Sequence, residues 1–133
     1  MATIQRFEDL EVWQQARLLS QEISLLLSAE GLTKDFALKD QMNRSSGSIM
    51  DNIAEGFGRG NRLEFIHFLS ISTGSADELR SQLYRCLDRN YISTEKFEEL
   101  SQSSTLLCKK INGFIKYLNG TLIKGTKFKG RKS

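Results

Sequence analysis

The chain is 133 residues long, 39% hydrophobic and 26% charged, which suits one globular domain with its own core. No stretch approaches the roughly 18 consecutive apolar residues of a membrane span, and Met1–Leu10 lacks the basic-then-apolar order of a secretory signal, so a cytoplasmic protein is expected. The formal net charge of +3 hides a split: residues 124–133 hold Lys124, Lys127, Lys129, Arg131 and Lys132 without an acid, leaving 14 basic against 16 acidic residues in the rest.

Helix one is expected from Phe7 to Ala29, because Val12, Ala16, Leu19, Ile23 and Leu26 recur at the three-four spacing of a buried seam. Glu30-Gly31 ends it, glycine supplying the left-handed cap that a side chain resists. Thr33 is the expected N-cap of helix two, whose seam is Leu38, Met42, Ile49 and Ile53. That helix runs into Asn52-Ile53-Ala54-Glu55-Gly56-Phe57-Gly58-Arg59, where Gly56, Gly58 and Gly60 break it and set a hinge.

Helix three opens on Asn61-Arg62-Leu63-Glu64, a capping-box-like start, and carries Phe65, Leu69, Ser72, Ala76, Leu79, Leu83 and Leu87. Helix four starts near Ser93 or Thr94 and carries Phe97, Leu100, Ser104, Leu107, Ile111, Phe114 and Leu118. No segment alternates as a strand does, and proline is absent. Short connections make neighbours antiparallel, so the fold class is all-α: a single-domain, up-down-up-down four-helix bundle over residues 1–123. Residues 124–133 then form a basic C-terminal tail, disordered when free.

Two runs of small residues, Ser45-Ser46-Gly47-Ser48 and Ser72-Thr73-Gly74-Ser75-Ala76, lie inside otherwise apolar helices. A hairpin folded about Gly58 brings Ser45 close to Ser72, and close backbone packing is the expected compensation for helical glycine. The alternative is a groove that admits a ligand or another backbone. Leu18 and Leu25 lie about 130° round helix one from its seam, and Ile71 and Leu106 are similarly displaced on their helices. Single exposed leucines are ordinary, but a repeated second stripe points to a subunit interface.

Candidate contacts to nucleic-acid phosphates are Lys39, Arg44, Arg59 and Arg62 on the body, with Lys39, Arg59 and Arg62 expected together at one bundle end. Lys127, Lys129, Arg131 and Lys132 extend the set into the tail. Asn52, Glu55, Gly56 and Gly58 are structural: Asn52, Glu55 and Arg59 form a polar cluster, with Arg44 or Arg59 as the partner of Glu55.

No catalytic or metal-binding set emerges. His67 has no Ser, Cys or carboxylate constellation beside it, and Cys86 and Cys108 match no metal or redox spacing, as reduced core thiols would not. Trp13 and Tyr91 offer rings for base stacking but fit core or interface positions as well. The chain lacks the Glu-x-x-His pattern of di-metal bundles and the Lys-Ser/Thr ending of a phosphate loop, so no cofactor is expected and an enzyme is the least favoured class.

From Phe7 to about Leu118 the chain resembles a bacterial four-helix-bundle family that includes proteins encoded by intervening sequences within 23S rRNA genes. The resemblance rests on Phe7, Leu10, Val12-Trp13 and Ala16, then on Gln41, Arg44, Ser48 and Asn52-Ile53-Ala54-Glu55-Gly56 with Gly58-Arg59. Glu64-Phe65, Phe68-Leu69, Gly74-Ser75, Glu78-Leu79 and Tyr91-Ile92 complete it. The chain departs from the family's pattern at Ser45-Ser46, where alanines are common, and at Met50, where proline is.

The resemblance implies assembly into a ring, typically a homopentamer. A related protein is the accessory partner of a reverse transcriptase in diversity-generating retroelements. The partners expected on this basis are further copies of the chain, RNA or DNA, and a protein partner, with RNA favoured and no membrane. A protein-interaction scaffold is the alternative function.

Overall fold

The computed structural model describes residues 4–132, with side chains described through Gly120. After a short 3-10 turn at Phe7–Asp9, α1 spans Glu11–Leu26, α2 Phe36–Gly58, α3 Arg62–Asp88 and α4 Thr94–Lys132. α1 packs on α2 and α4, α2 on α3, and α3 on α4, so consecutive antiparallel helices close a four-helix bundle. No described helix is long and apolar enough to cross a membrane.

The expected seams are the core. Ala16, Ile23, Met42, Ile53, Leu79 and Ile111 are all fully buried, and Ser72 and Ser104 sit inside with them. Each of these two hydroxyls is satisfied across a helix boundary: Ser72 donates to the carbonyl of Ile49 at 2.8 Å and Ser104 to that of Ala76 at 3.1 Å. Small polar residues therefore stand in the seam where helices come near enough for a hydroxyl to reach the next backbone.

Helix boundaries differ from expectation for local reasons. Helix one begins four residues late because Leu10 is extended (φ −75°, ψ 126°), and the Phe7–Asp9 turn is tied to α1 by Gln14 Nε2 donating to the Glu8 carbonyl at 2.8 Å. Thr33 is not the cap of α2. Its hydroxyl donates back to the Ala29 carbonyl at 2.8 Å, and Asp35 caps instead, accepting from the Leu38 amide at 3.3 Å. Asn61 does cap α3, accepting from the Glu64 amide at 3.0 Å, and Ser93 caps α4, accepting from the Lys96 amide at 3.1 Å.

The hinge also moves. α2 continues through Gly58, and it is Gly60 that takes a left-handed conformation (φ +68°) in the turn to α3. The partner of Ser45 also differs: it meets Gln82, donating to its Oε1 at 2.6 Å, rather than Ser72. Close packing at the helical glycines is likewise relocated. A Cβ on Gly47, Gly58 or Gly74 would meet nothing within 4 Å, whereas one on Gly56 would lie 2.6 Å from the Cβ of Phe68. Of the α2 and α3 glycines, Gly56 is the one where the neighbouring helix leaves no room for a side chain.

Candidate nucleic-acid interface

The asparagine-to-arginine segment at the end of α2 does not form one polar cluster. Asn52 turns back along its own helix, donating to the Ser48 carbonyl and to Ser48 Oγ, each at 2.8 Å. Ser48 in turn meets Ser75 of α3, the two hydroxyls 2.9 Å apart. Asn52 thus fixes the serine that clips α2 to α3, one turn away from Gly56.

Glu55 belongs to a second arrangement. Its partner is Arg59, one turn on, at 2.7 Å, while Arg44 pairs with Asp40 at 3.0 Å. The Arg59 guanidinium also lies 4.0 Å from Glu64 and over the Phe68 ring, 5.0 Å from its centroid. An exposed ion pair of this kind is worth about 0.3–0.5 kcal/mol. Its effect is to hold Arg59 against the α2–α3 turn, so that it braces the hinge before it can meet a ligand.

Arg62 is different. It is exposed at the first position of α3, and the described residues give it no hydrogen bond or ion pair. A cation at a helix N-terminus lies at the positive end of the backbone dipole and gains nothing from it. The same dipole, with the unpaired amides of a first turn, favours an anion beside Arg62.

Lys39 does not share that end. It lies in the first turn of α2, 20 residues before Arg59, which places the two about 30 Å apart along the helix axis. Arg44 is 15 residues from Arg59, a separation of about 22 Å. The four body candidates are therefore spread along the bundle rather than gathered.

α4 links the turn pole to the basic C-terminal residues. Leu118 lines a cavity with Phe57, Gly60, Asn61, Arg62 and Phe65, so α4 is level with the α2–α3 turn there. The helix continues to Lys132, 14 residues further, a rise of about 21 Å. The expected boundary between bundle and tail at residue 124 falls within this element, and the side chains of Lys127, Lys129, Arg131 and Lys132 lie outside those described.

The remaining candidates are structural. His67 is exposed and meets the edge of Phe68, centroids 5.7 Å apart. Cys86 points its thiol at the Met42 sulfur, 3.4 Å away, and burial pushes its pKa up to about 11. Burial also raises Cys108, helped by the charge of Asp77. Neither thiol forms a thiolate readily at neutral pH, so neither is an activated nucleophile. Among the described residues no three His, Cys, Asp or Glu side chains converge as a metal site would require. Trp13 packs on Phe7, ring centroids 5.0 Å apart.

Tyr91 belongs to a cluster that sequence reasoning missed. Its hydroxyl donates to Asp35 Oδ2 at 2.8 Å, and Arg89 donates to the same oxygen at 2.6 Å. The Tyr91 hydrogen bond, the largest cause, together with Arg89 and the Leu38 amide holds the Asp35 carboxyl below its usual range, against burial, which is second in size and acts the other way. The Tyr91 ring lies over Gly31 (φ +92°), where a Cβ would come within 3.1 Å of it. The available signal was an aspartate three residues before Leu38, the first residue of the helical seam, which is N-cap chemistry.

A family model described as 23S rRNA-intervening sequence protein matches residues 8–113. Among solved structures, the chain is similar to a protein of unknown function from the S23 ribosomal protein family of Bacteroides thetaiotaomicron. The two are 28% identical, with a TM-score of 0.73, over 79% of this chain and 95% of the other. No curated protein matches it.

Proposed function

The chain belongs to the 23S rRNA-intervening sequence protein family, and from that premise we propose that it is a cytoplasmic, non-enzymatic, self-associating bundle that binds nucleic acid, RNA before DNA. The observation that carries this reading is the charge split: five basic residues and no acid in residues 124–133, against 14 basic and 16 acidic residues elsewhere. Those five follow α4 beyond the pole that holds Arg62, so phosphates meet one basic end and a balanced body. RNA is placed before DNA because the solved relative's family is named for a ribosomal protein.

Self-association is supported by Leu18, Leu25 and Leu106, exposed at 54%, 78% and 58%. Such residues lose water contact when copies assemble, and a ring of five is the assembly proposed. Repeating a weak basic pole around a ring multiplies its effective affinity without any new contact. Neither the family description nor the solved relative's title names an enzymatic activity.

Fluorescence anisotropy with a labelled RNA, beside light scattering and the absorbance ratio of the purified chain, tests this reading. Binding at about 50 mM salt that falls steeply by about 200 mM is expected, along with a multi-subunit mass. Absence of binding at the lower salt sinks the nucleic-acid reading. The protein-scaffold reading is favoured by the engagement of Arg59 with Glu55 and Phe68. It gains if a pull-down after nuclease treatment recovers one protein partner, and if Arg59→Glu with Arg62→Glu leaves that recovery intact.

A further inference from the structure

Oε2 of Glu22 is buried and has no hydrogen-bond partner, alone in this among the described side-chain nitrogens and oxygens. It lies in the groove between α1 and α4, where a cavity of about 190 Å³ is bordered by Leu18, Ser103 and Leu106. Lys110 lines the same groove, but its ammonium is committed to Glu11 at 2.6 Å. Leu18 precedes Glu22 by one helical turn and Leu25 follows it by nearly one, both exposed. A carboxylate oxygen shielded from water beside aliphatic side chains calls for a cationic donor carried on an apolar backing. The described fold supplies none.

We propose that this groove receives residues 121–133 of a second copy of the chain, with a lysine or arginine of that segment donating to Glu22. The segment has the required chemistry: five cations, no acid, and Leu122, Ile123 and Phe128 among them. Lys124, Phe128 and Lys132 recur at every fourth residue, the spacing at which Leu18 and Glu22 also stand. An aromatic that covers Leu18 and Leu106 therefore puts a cation one turn away, at the carboxylate.

The donor is a second copy because α4 carries the segment away from its own groove. Leu118 is already 12 residues past Leu106 at the far pole, about 18 Å along the axis. One cation in the groove leaves four for phosphates. The inference rests on the self-association proposed above and is independent of nucleic-acid binding.

Photo-crosslinking of the full-length chain tests it. p-Benzoyl-phenylalanine replaces Phe128, and light and isotopically heavy copies are mixed before irradiation and peptide mapping. The expected products join light to heavy copies at residues 18–25 of α1 or 103–110 of α4. Glu22→Gln, which keeps the shape and removes the charge, is expected to cut their yield by roughly tenfold, the loss due to one charge-assisted hydrogen bond. Products within one copy, products at any other surface, or a yield indifferent to Glu22→Gln overturn the proposal. Light scattering separates the two ways of failing. A monomer without inter-copy products removes the self-association reading as well, whereas an oligomer cross-linked elsewhere removes only the groove assignment.

Discussion

Where α1 meets α2 and α3 meets α4, one carboxylate ties two connections together, whereas at the opposite pole a single turn is closed by a close helix–helix approach and by the pairs of Arg59. At the first pole Asp35 caps α2 through the Leu38 amide and takes both Arg89 and Tyr91 on its other oxygen. These bonds join segments 54 and 56 residues apart, so two inter-helix connections are held by one carboxylate. At the second pole the link is the short turn after Gly58, held by the close approach of Gly56 to Phe68 and braced by Arg59 over the Phe68 ring. Both poles keep cations without a partner among the described residues, Lys34 and Lys39 at the first and Arg62 at the second, so the poles differ in how they are closed.

The largest effect is expected from Gly56→Ala. The new methyl would overlap Phe68 Cβ, and forcing the helices apart should cost about 2–3 kcal/mol, read as a lowered urea midpoint. Gly31→Ala comes next, since it combines a positive φ with crowding against the Tyr91 ring; about 1–2 kcal/mol is expected. Equal stability of Gly56→Ala and the wild type would remove packing as the means by which the turn pole is closed.

Asp35→Asn should destabilise less than either glycine change, and in a pH-dependent way. The folded-state pKa of Asp35 is depressed, so its contribution is fully present above the unfolded value and is lost as pH falls through the folded one. The melting-temperature gap between wild type and Asp35→Asn should therefore be constant near neutrality and close as pH drops below 3.8. A gap that persists unchanged in acid would assign the clasp to shape rather than charge. Arg62→Glu sits at the bottom of the stability scale, within about 0.5 kcal/mol of wild type, because no described contact is lost.

What could be read from the sequence was what neighbours along a helix determine. The three-four seams predicted the buried faces, since side-chain period is a local property of the backbone, and the pairing of Glu55 with Arg59 follows from one helical turn. The hinge was misplaced by two residues because Gly58 and Gly60 look alike until φ is known, and only Gly60 is positive. Ser45 meets Gln82 rather than Ser72, a difference of ten residues that the two-residue shift of the turn accounts for only in part. The Asp35 clasp depends on residues brought together only by the fold, and so does the Phe68 ring beneath Arg59. Spacing alone also grouped Lys39 with Arg59, although helix length sets them at opposite ends.

The central claim is that phosphate binding is confined to one pole, and the salt dependence of RNA binding tests it most directly. Each phosphate contact contributes about 0.7–0.9 to the slope of log affinity against log salt. Replacing Lys124, Lys127, Lys129, Arg131 and Lys132 with glutamine should lower the slope by about 2–4, Arg62→Gln by about one, and Lys39→Gln not at all. A slope that survives loss of the five C-terminal cations, or that falls as far with Lys39→Gln as with Arg62→Gln, would contradict the account.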